Sequence, residues 1–364
     1  MATDNKTQKA VGGGSRGPGR ITPVNLRDVA AHAGVSVATA SRVFAGNSKV
    51  QAETKTRVLA SAKELGYVVN GLARAMTGRG PRSIAFVVRA MIGPTFASLA
   101  AGAESVAQKH GHLLLMSTTQ GDLDREQQLI TSLREQRIKA VLLVGSTETS
   151  ASFDQRAVAY AKDLARINAS LILCGRPPVP KHPELVSVDY DQVAGIGAAV
   201  DELARLGHRR IAYAGEARGM TTAEVRLDGY VAALKRNKIK QDPSLVCLAK
   251  NTEDDGARAI GELLARQRDV TAVVAMTDNI AVGAYRAARE RGLTIPKELS
   301  IVGFDDVPIV GDLTPGLTTV HPPFFEVGVR AAEIALGLMP PGHAMLPTRF
   351  VRRGSCAPPN VRLR

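Results

Sequence analysis

Arg42, with the small and hydroxyl-bearing residues before it, carries the chemistry that is easiest to place in this chain. The segment 24–44, VNLRDVAAHAGVSVATASRVF, has the spacing of two short helices joined by a tight turn. Asn25 is placed to cap the first helix, with Asp28 in its first turn, where a carboxylate meets the positive end of the helix dipole. Leu26, Val29, Ala30 and Ala33 give that helix one apolar face. Gly34 stands where the chain must turn without a Cβ, and Val35 can fill the gap between the helices. Ser36 then caps a second helix, Val37 to Phe44, whose outward positions are Val37, Ala38, Ser41 and Arg42. In a helix-turn-helix those positions enter a DNA major groove. An ordinary αα-hairpin in a larger core is the competing reading, and the basic flank argues against it.

Charge is unevenly spread. Residues 1–82 hold 13 Lys and Arg against 4 Asp and Glu, a net of +9 out of +13 for all 364 residues. A basic head on a nearly neutral body implies phosphate contact by the head alone. Residues 1–20 are Gly-rich, polar and without periodicity, and read as a disordered basic tail. They contain no apolar stretch of the kind a secretory signal needs, and no run in the chain is long enough for a membrane helix. A cytoplasmic protein is expected, with no membrane partner. Cys174, Cys247 and Cys356 form no CxxC pair and read as reduced thiols.

Residues 21–67 make a helical headpiece. Its third helix is expected near 52–65, with Val58, Leu59, Ala62 and Leu65 on one stripe and Gly66 as the stop. Residues 68–82 form a short connector. From Ser83 the pattern changes to apolar runs of four to six residues alternating with helical stretches: SIAFVV, HLLLMS, KAVLLVG, then SLILCG, ELVSV, RRIAYAG, LVCLA, TAVVAM and LSIVGF. Such alternation predicts parallel sheets covered by helices on both faces. Two blocks, about 83–180 and 185–310, predict two α/β lobes, with LTTVHPPFFEVGVRAAEIALGLM crossing back to the first. Lobes facing each other across a crevice provide a small-molecule site at the carboxyl ends of the strands.

Nothing in the chain assembles catalysis. His112, His208 and His321 stand singly, without partners at metal-ligand or triad spacing, and no GxSxG, P-loop or GxGxxG lies at a strand-to-helix turn. The reading is a non-enzyme without cofactor or metal. A transporter's solute receptor shares the two-lobe architecture, but it would need an export signal and no headpiece.

Taken in order, LRDVAAHAGVSVATASRV, ELGYVVNGLARAM, LARLGHRRIAYAG, RLDGY, TDNIAVGA, IPKELSIVGFDD and LTTVHPP resemble the lactose repressor (LacI/GalR) family of bacterial transcription regulators, over about residues 22–356. The resemblance implies an α/β fold with a helix-turn-helix headpiece and a two-lobed, periplasmic-binding-protein-like body at 83–364. The first lobe would comprise about 83–182 plus 320–345, the second about 183–319 plus 346–358. It also implies a homodimeric repressor that reads a pseudo-palindromic operator and is controlled by a small-molecule effector. Carbohydrates are the family's majority effector class and purines the minority. Val37, Ala38 and Arg42 occupy its base-reading positions. Arg42 can fork onto guanine O6 and N7, while Val37 and Ala38 can only touch a thymine methyl. Ser36, Thr39 and Ser41 offer hydroxyls to phosphate oxygens.

The segment NGLARAMT resembles the family's hinge helix, with Asn70, Arg74 and Met76 at DNA-facing positions and Met76 in place of the usual minor-groove leucine. Gly71 costs that helix roughly 1 kcal/mol of intrinsic stability, so a hinge less ordered away from DNA than is usual is expected. In the crevice the resemblance places Arg226 of RLDGY and Asp305 of GFDD on effector hydroxyl or carbonyl groups, joined by Arg176, Thr277 and, from the first lobe, Thr95 and Phe96. Asp189 and Tyr190 in VDYD are expected to orient loops at the lobe interface. Departures from the family pattern are Ala45 for Asn, Gln51 for a Ser or Thr cap, Thr277 before Asp278 for Asn, and Gly175 before Arg176 for Asp. The chain lacks leucine heptads after its last strand, which favours a dimer over a tetramer.

Overall fold

The computed structural model describes residues 24–45, 49–67, 83–91 and 93–360. It divides into two units, 1–80 and 81–364. The disordered-tail and hinge readings, including Asn70, Arg74 and Met76, lie outside the described residues.

In the first unit, α1 (Leu26–His32), α2 (Val37–Phe44) and α3 (Ala52–Glu64) enclose a small core of Val29, Ala30, Ala33, Ala40, Val43, Val58 and Ala62. Asn25 forms a full capping box: its Oδ1 accepts from Asp28 N–H at 3.3 Å, and from Arg27 N–H as well, while Asp28 Oδ2 accepts from Asn25 N–H at 2.8 Å. Gly34 turns the chain at φ 62°. Gln51 provides no side-chain cap, as its type suggests. One expectation fails. Leu59 is exposed, because the face that meets the core runs through Val58, Ser61 and Ala62, and position 59 lies one 100° step off it.

The second unit builds its first sheet from β1 (Ser83–Val88), β2 (Leu113–Thr118), β3 (Ala140–Val144), β4 (Ser170–Cys174), β5 (Val186–Tyr190) and β11 (His343–Leu346). These strands run in the order β11-β5-β4-β3-β1-β2, all parallel. The inner strands are unbroken apolar runs because α4 (Pro94–Lys109), α5 (Leu123–Glu135), α6 (Ala151–Ala165) and α11 (Phe324–Ala335) cover the sheet. A second parallel sheet, β7-β6-β8-β9, uses Val246–Leu248, Ile211–Gly215, Ala272–Ala275 and Ser300–Val302. It is packed by α7 (Gln192–Arg205), α8 (Thr221–Arg236), α9 (Glu253–Arg266) and α10 (Asp278–Glu290). Strands β10 (Thr319–His321) and β12 (Arg349–Val351) pair antiparallel beside it.

The lobe boundaries expected from the sequence need correcting at two points. Strand β5 pairs with β4, so residues 186–190 belong to the first lobe and the crossing comes between Tyr190 and Gln192, not near 183. Strand β10 stays with the second lobe, so the return crossing follows His321. A half-polar VSVDY reads in sequence like an edge of the next block, and only its pairing, which buries it, assigns it.

Helix α11 brings the chain back onto the first lobe by packing on α4, and the approach is close enough to require glycine on both sides. A Cβ at Gly328 would lie 2.0 Å from Leu99 O, and one at Gly102 would lie 2.0 Å from Phe325 O. Gly328→Ala is therefore expected to destabilise the body by roughly 1–3 kcal/mol through overpacking. Urea unfolding followed by circular dichroism checks this, and an unchanged midpoint would mean that the helices do not approach so closely.

Candidate functional site

In the headpiece, α2 turns Ala40 and Val43 into the core and leaves Ser36, Val37, Ala38, Ser41 and Arg42 exposed. Val37, 43% exposed, and Ala38 form an apolar spot on this face between Ser36 and Ser41. Ser36 Oγ accepts from Thr39 N–H at 3.1 Å, and the two hydroxyls share a 2.8 Å hydrogen bond. The pair thus keeps one O–H free for a phosphate oxygen, where the sequence suggested two.

The body's main cavity, about 160 Å³, opens between the carboxyl ends of the strands of both lobes. That is the scale of a cavity holding one six-membered ring, about 150 Å³. The first lobe supplies Thr95 and Phe96 from α4, Ser146 after β3, and Tyr190. The second supplies Glu216, Thr222, Arg226, Asn251, Thr277 and Asp305, and Phe324 closes one side.

Arg226 organises the site. It is 2% exposed, and its guanidinium lies 3.7 Å from the centre of the Phe304 ring. Nε donates to Gln192 Oε1 at 3.1 Å, Nη1 to the Met276 carbonyl, and Nη2 to Tyr190 Oη at 3.0 Å and Asp305 Oδ1 at 3.3 Å. Of its five N–H groups, one on Nη1 is left for a ligand. Burial opposes its charge, but Tyr190 and Asp305 hold it above its ordinary range. Asp305 takes φ 114°, a strained backbone for an L-residue, held by its N–H on Val320 O at 2.9 Å. Its carboxyl is pushed up to about 7 by burial, against the pull of Arg226 and with help from Asp278. Thr277 Oγ1 donates to Asn251 Oδ1 at 2.7 Å and caps α10.

Arg176 is not in this cavity. Its Nε donates to Gly145 O and its Nη2 to Val144 O at 3.4 Å, and it lines a separate, neighbouring cavity. Gly175 lines the main one beside Cys174, and its φ of 66° bends the chain as the strand ends, so that Arg176 turns away from it.

These groups suit binding rather than turnover. Donors, acceptors and the aromatic faces of Phe96, Tyr190 and Phe324 surround a ring-sized space. Cys174 reaches the wall, but burial pushes its thiol up to about 12. No cluster of metal-ligating side chains occurs among the described residues.

Comparison with known proteins places the two units together in one family. The profile of bacterial regulatory proteins, lacI family, matches residues 25–70, and that of periplasmic binding protein-like domains matches 200–356. HTH-type transcriptional repressor CytR of Escherichia coli (strain K12) is 30% identical over 340 residues, covering 92% of this chain and 96% of the relative. The chain belongs to the lacI family of bacterial regulatory proteins. HTH-type transcriptional regulator GalS of Salmonella typhimurium is 32% identical over 92% of the chain and 97% of the relative. Among solved structures, the Lac repressor dimer bound to operator and the anti-inducer ONPF matches at TM-score 0.80 and 26% identity, covering 92% of this chain and all of that one. The CelR–cellobiose complex matches at 0.68 and 29%, over 91% and 99%. Like these relatives, this lacI-family chain is a DNA-binding transcriptional regulator with a helix-turn-helix headpiece and an α/β body.

Several residues at this regulator's cavity carry no sequence signal. Phe304 lies under the Arg226 guanidinium, and Gln192 accepts from it while donating to Asp189 at 3.4 Å. Asn251 and Glu216 lie in loops after short strands. Tyr190 was expected to orient the interface, and its hydroxyl instead accepts directly from Arg226. Asp189, expected in the same role, accepts from Tyr190 N–H at 2.8 Å.

Three buried carboxyls here bind protons more tightly in the folded protein: Asp305 at about 7, Asp189 and Asp278 at about 6, all through burial. A raised carboxyl favours the folded state most at low pH, and that contribution is lost as pH climbs from about 4 to about 7. Asp305→Asn should flatten the upper end of this decline. Urea unfolding at a series of pH values measures it; a slope equal to wild type would mean that Asp305 is ionised throughout.

Proposed function

We propose that the chain is a cytoplasmic, homodimeric repressor, not an enzyme, whose affinity for a pseudo-palindromic operator is set by a sugar or sugar-derived metabolite. The observation that carries this reading is the exposed face of α2, Ser36 to Arg42, standing on a headpiece core of its own. The two-lobe body alone would serve a solute receptor equally well, and fold does not settle function. Val37, Ala38 and Arg42 read bases, and Ser36, Thr39 and Ser41 meet phosphates. Asn70, Arg74 and Met76 serve the hinge between them. The solved Lac repressor dimer on its operator supports the dimer and the operator as partners.

In the cavity, Asp305 accepts two hydroxyls while the spare Arg226 N–H donates to a third oxygen, an arrangement suited to a polyol ring. Thr95 and Thr277 add hydroxyl contacts and Phe96 covers a ring face. The cellobiose complex of CelR supports a sugar over a purine. Effector occupancy shifts lobe closure and so the spacing of the two hinges at the dimer axis. Operator and effector are then linked by a reciprocal coupling, typically about 1–3 kcal/mol.

Two substitutions separate the two ends of this mechanism. Arg42→Ala is expected to cost roughly 1–3 kcal/mol on the operator selected from random duplexes and much less on unselected DNA. Fluorescence anisotropy measures both, and equal losses would reduce Arg42 to a phosphate contact. Asp305→Ala is expected to keep operator affinity and lose the response to the sugar that shifts wild type. Survival of that response would remove Asp305 from the effector site.

A further inference from the structure

The cavity that Arg176 lines, about 100 Å³, adjoins the main one, and Ser146 lines both. It lies at the carboxyl ends of β1 and β3, and Met220 reaches over it from the second lobe. Its lid is firmly drawn. Thr221 N–H donates to Thr147 O at 2.8 Å, Thr149 N–H to Gly219 O at 3.0 Å, and Thr149 Oγ1 to Glu224 at 2.7 Å.

Two donors of its lining residues, Arg156 Nε and Arg176 Nη1, are buried and without a hydrogen-bond partner, and the Glu126 carboxylate lines the same cavity with the Tyr160 hydroxyl against it. Arg176 is only 5% exposed. Both guanidiniums lie against the Phe153 ring, the Arg176 carbon 5.2 Å and the Arg156 carbon 5.9 Å from its centre, and both line the same cavity. Burial draws the Arg176 guanidinium down to about 10, with Glu126 opposing. Leaving buried donors unpaired is costly, which favours a group in this cavity that accepts from the guanidiniums and tolerates the Glu126 carboxylate.

The charges decide what that is. Arg89, Arg156 and Arg176 are balanced by Asp122, Glu126 and Glu148 around the same cavity. A phosphate or carboxylate would meet the guanidiniums and be repelled by Glu126. A hydroxyl does both jobs, accepting from an N–H while donating to a carboxylate. We propose that this cavity is a second subsite, which takes vicinal hydroxyls at the edge of a further sugar unit, so that the effector is a disaccharide whose first ring fills the main cavity. The assignment rests on reading the main cavity as a sugar site. At about 100 Å³ the second space admits the hydroxylated edge of a ring and not the whole of it.

Isothermal titration of the full chain tests this with glucose, galactose, ribose and glucose 6-phosphate against maltose, trehalose, lactose and cellobiose. Wild type is expected to bind one disaccharide roughly tenfold or more tightly than its component monosaccharides. Arg156→Gln and Glu126→Gln should each erase that advantage while leaving monosaccharide affinity within about twofold. Unliganded melting curves establish that each variant folds, and Glu126→Gln reads the same contact should Arg156→Gln fail to. A disaccharide advantage that is absent, or that survives both substitutions, overturns the second subsite and leaves the first standing. Preference for glucose 6-phosphate over every disaccharide overturns it in favour of an anion site. Binding of no sugar overturns both readings together.

Discussion

A fully buried guanidinium at the junction of two lobes sets the terms for the rest of the body. Arg226 cannot be taken from water unless nearly every N–H is met, and the groups that meet them come from both sides: Tyr190 from the first lobe, Gln192 just past the crossing, Met276 and Asp305 from the second. The compensation exists only when β5, α7, the end of β8 and the loop after β9 are brought together. That makes the closed arrangement of the lobes and the formation of the site one event. The one Nη1 N–H without a protein partner and the Asp305 carboxyl stand within this balance, so any change at either is felt by both lobes.

The carboxyls around that cation are tuned the other way. Asp189, Asp278 and Asp305 are each pushed toward the neutral form by burial, yet each accepts hydrogen bonds: from Tyr190 N–H, from Thr319 Oγ1 at 2.6 Å, and from Arg226. Around one guanidinium the protein thus holds three carboxyls that burial pushes toward the neutral form. Such groups offer hydrogen bonds of fixed direction more than net charge.

Much of this was legible in the chain. Arg226 and Asp305 stood out through RLDGY and GFDD, and the exposed set Val37, Ala38, Ser41 and Arg42 followed from helical spacing alone. Arg176 did not, because its position next to Gly175 says that the segment reaches the crevice and not which way the side chain turns. Gln192 and Phe304 escaped notice because their roles are relations to one guanidinium distant in sequence, and Asn251 because it meets Thr277 from another loop. Leu59 was misplaced by a single helical step, where a short helix with few apolar residues fits two stripes almost equally. VSVDY was assigned to the wrong lobe since a half-polar strand shows no preference for one neighbour over another.

Periodicity, capping residues and unbroken apolar runs are properties of adjacent residues, so the headpiece helices, the strand–helix alternation and the location of the basic head were determined by the sequence itself. Which strand ends face each other, where the chain changes lobe, and which donors are left unpaired beside Ser146 were decided only by the tertiary structure. Those depend on desolvation and on hydrogen-bond partners drawn from segments far apart in the chain. A buried charge has no meaning until the fold has chosen what surrounds it.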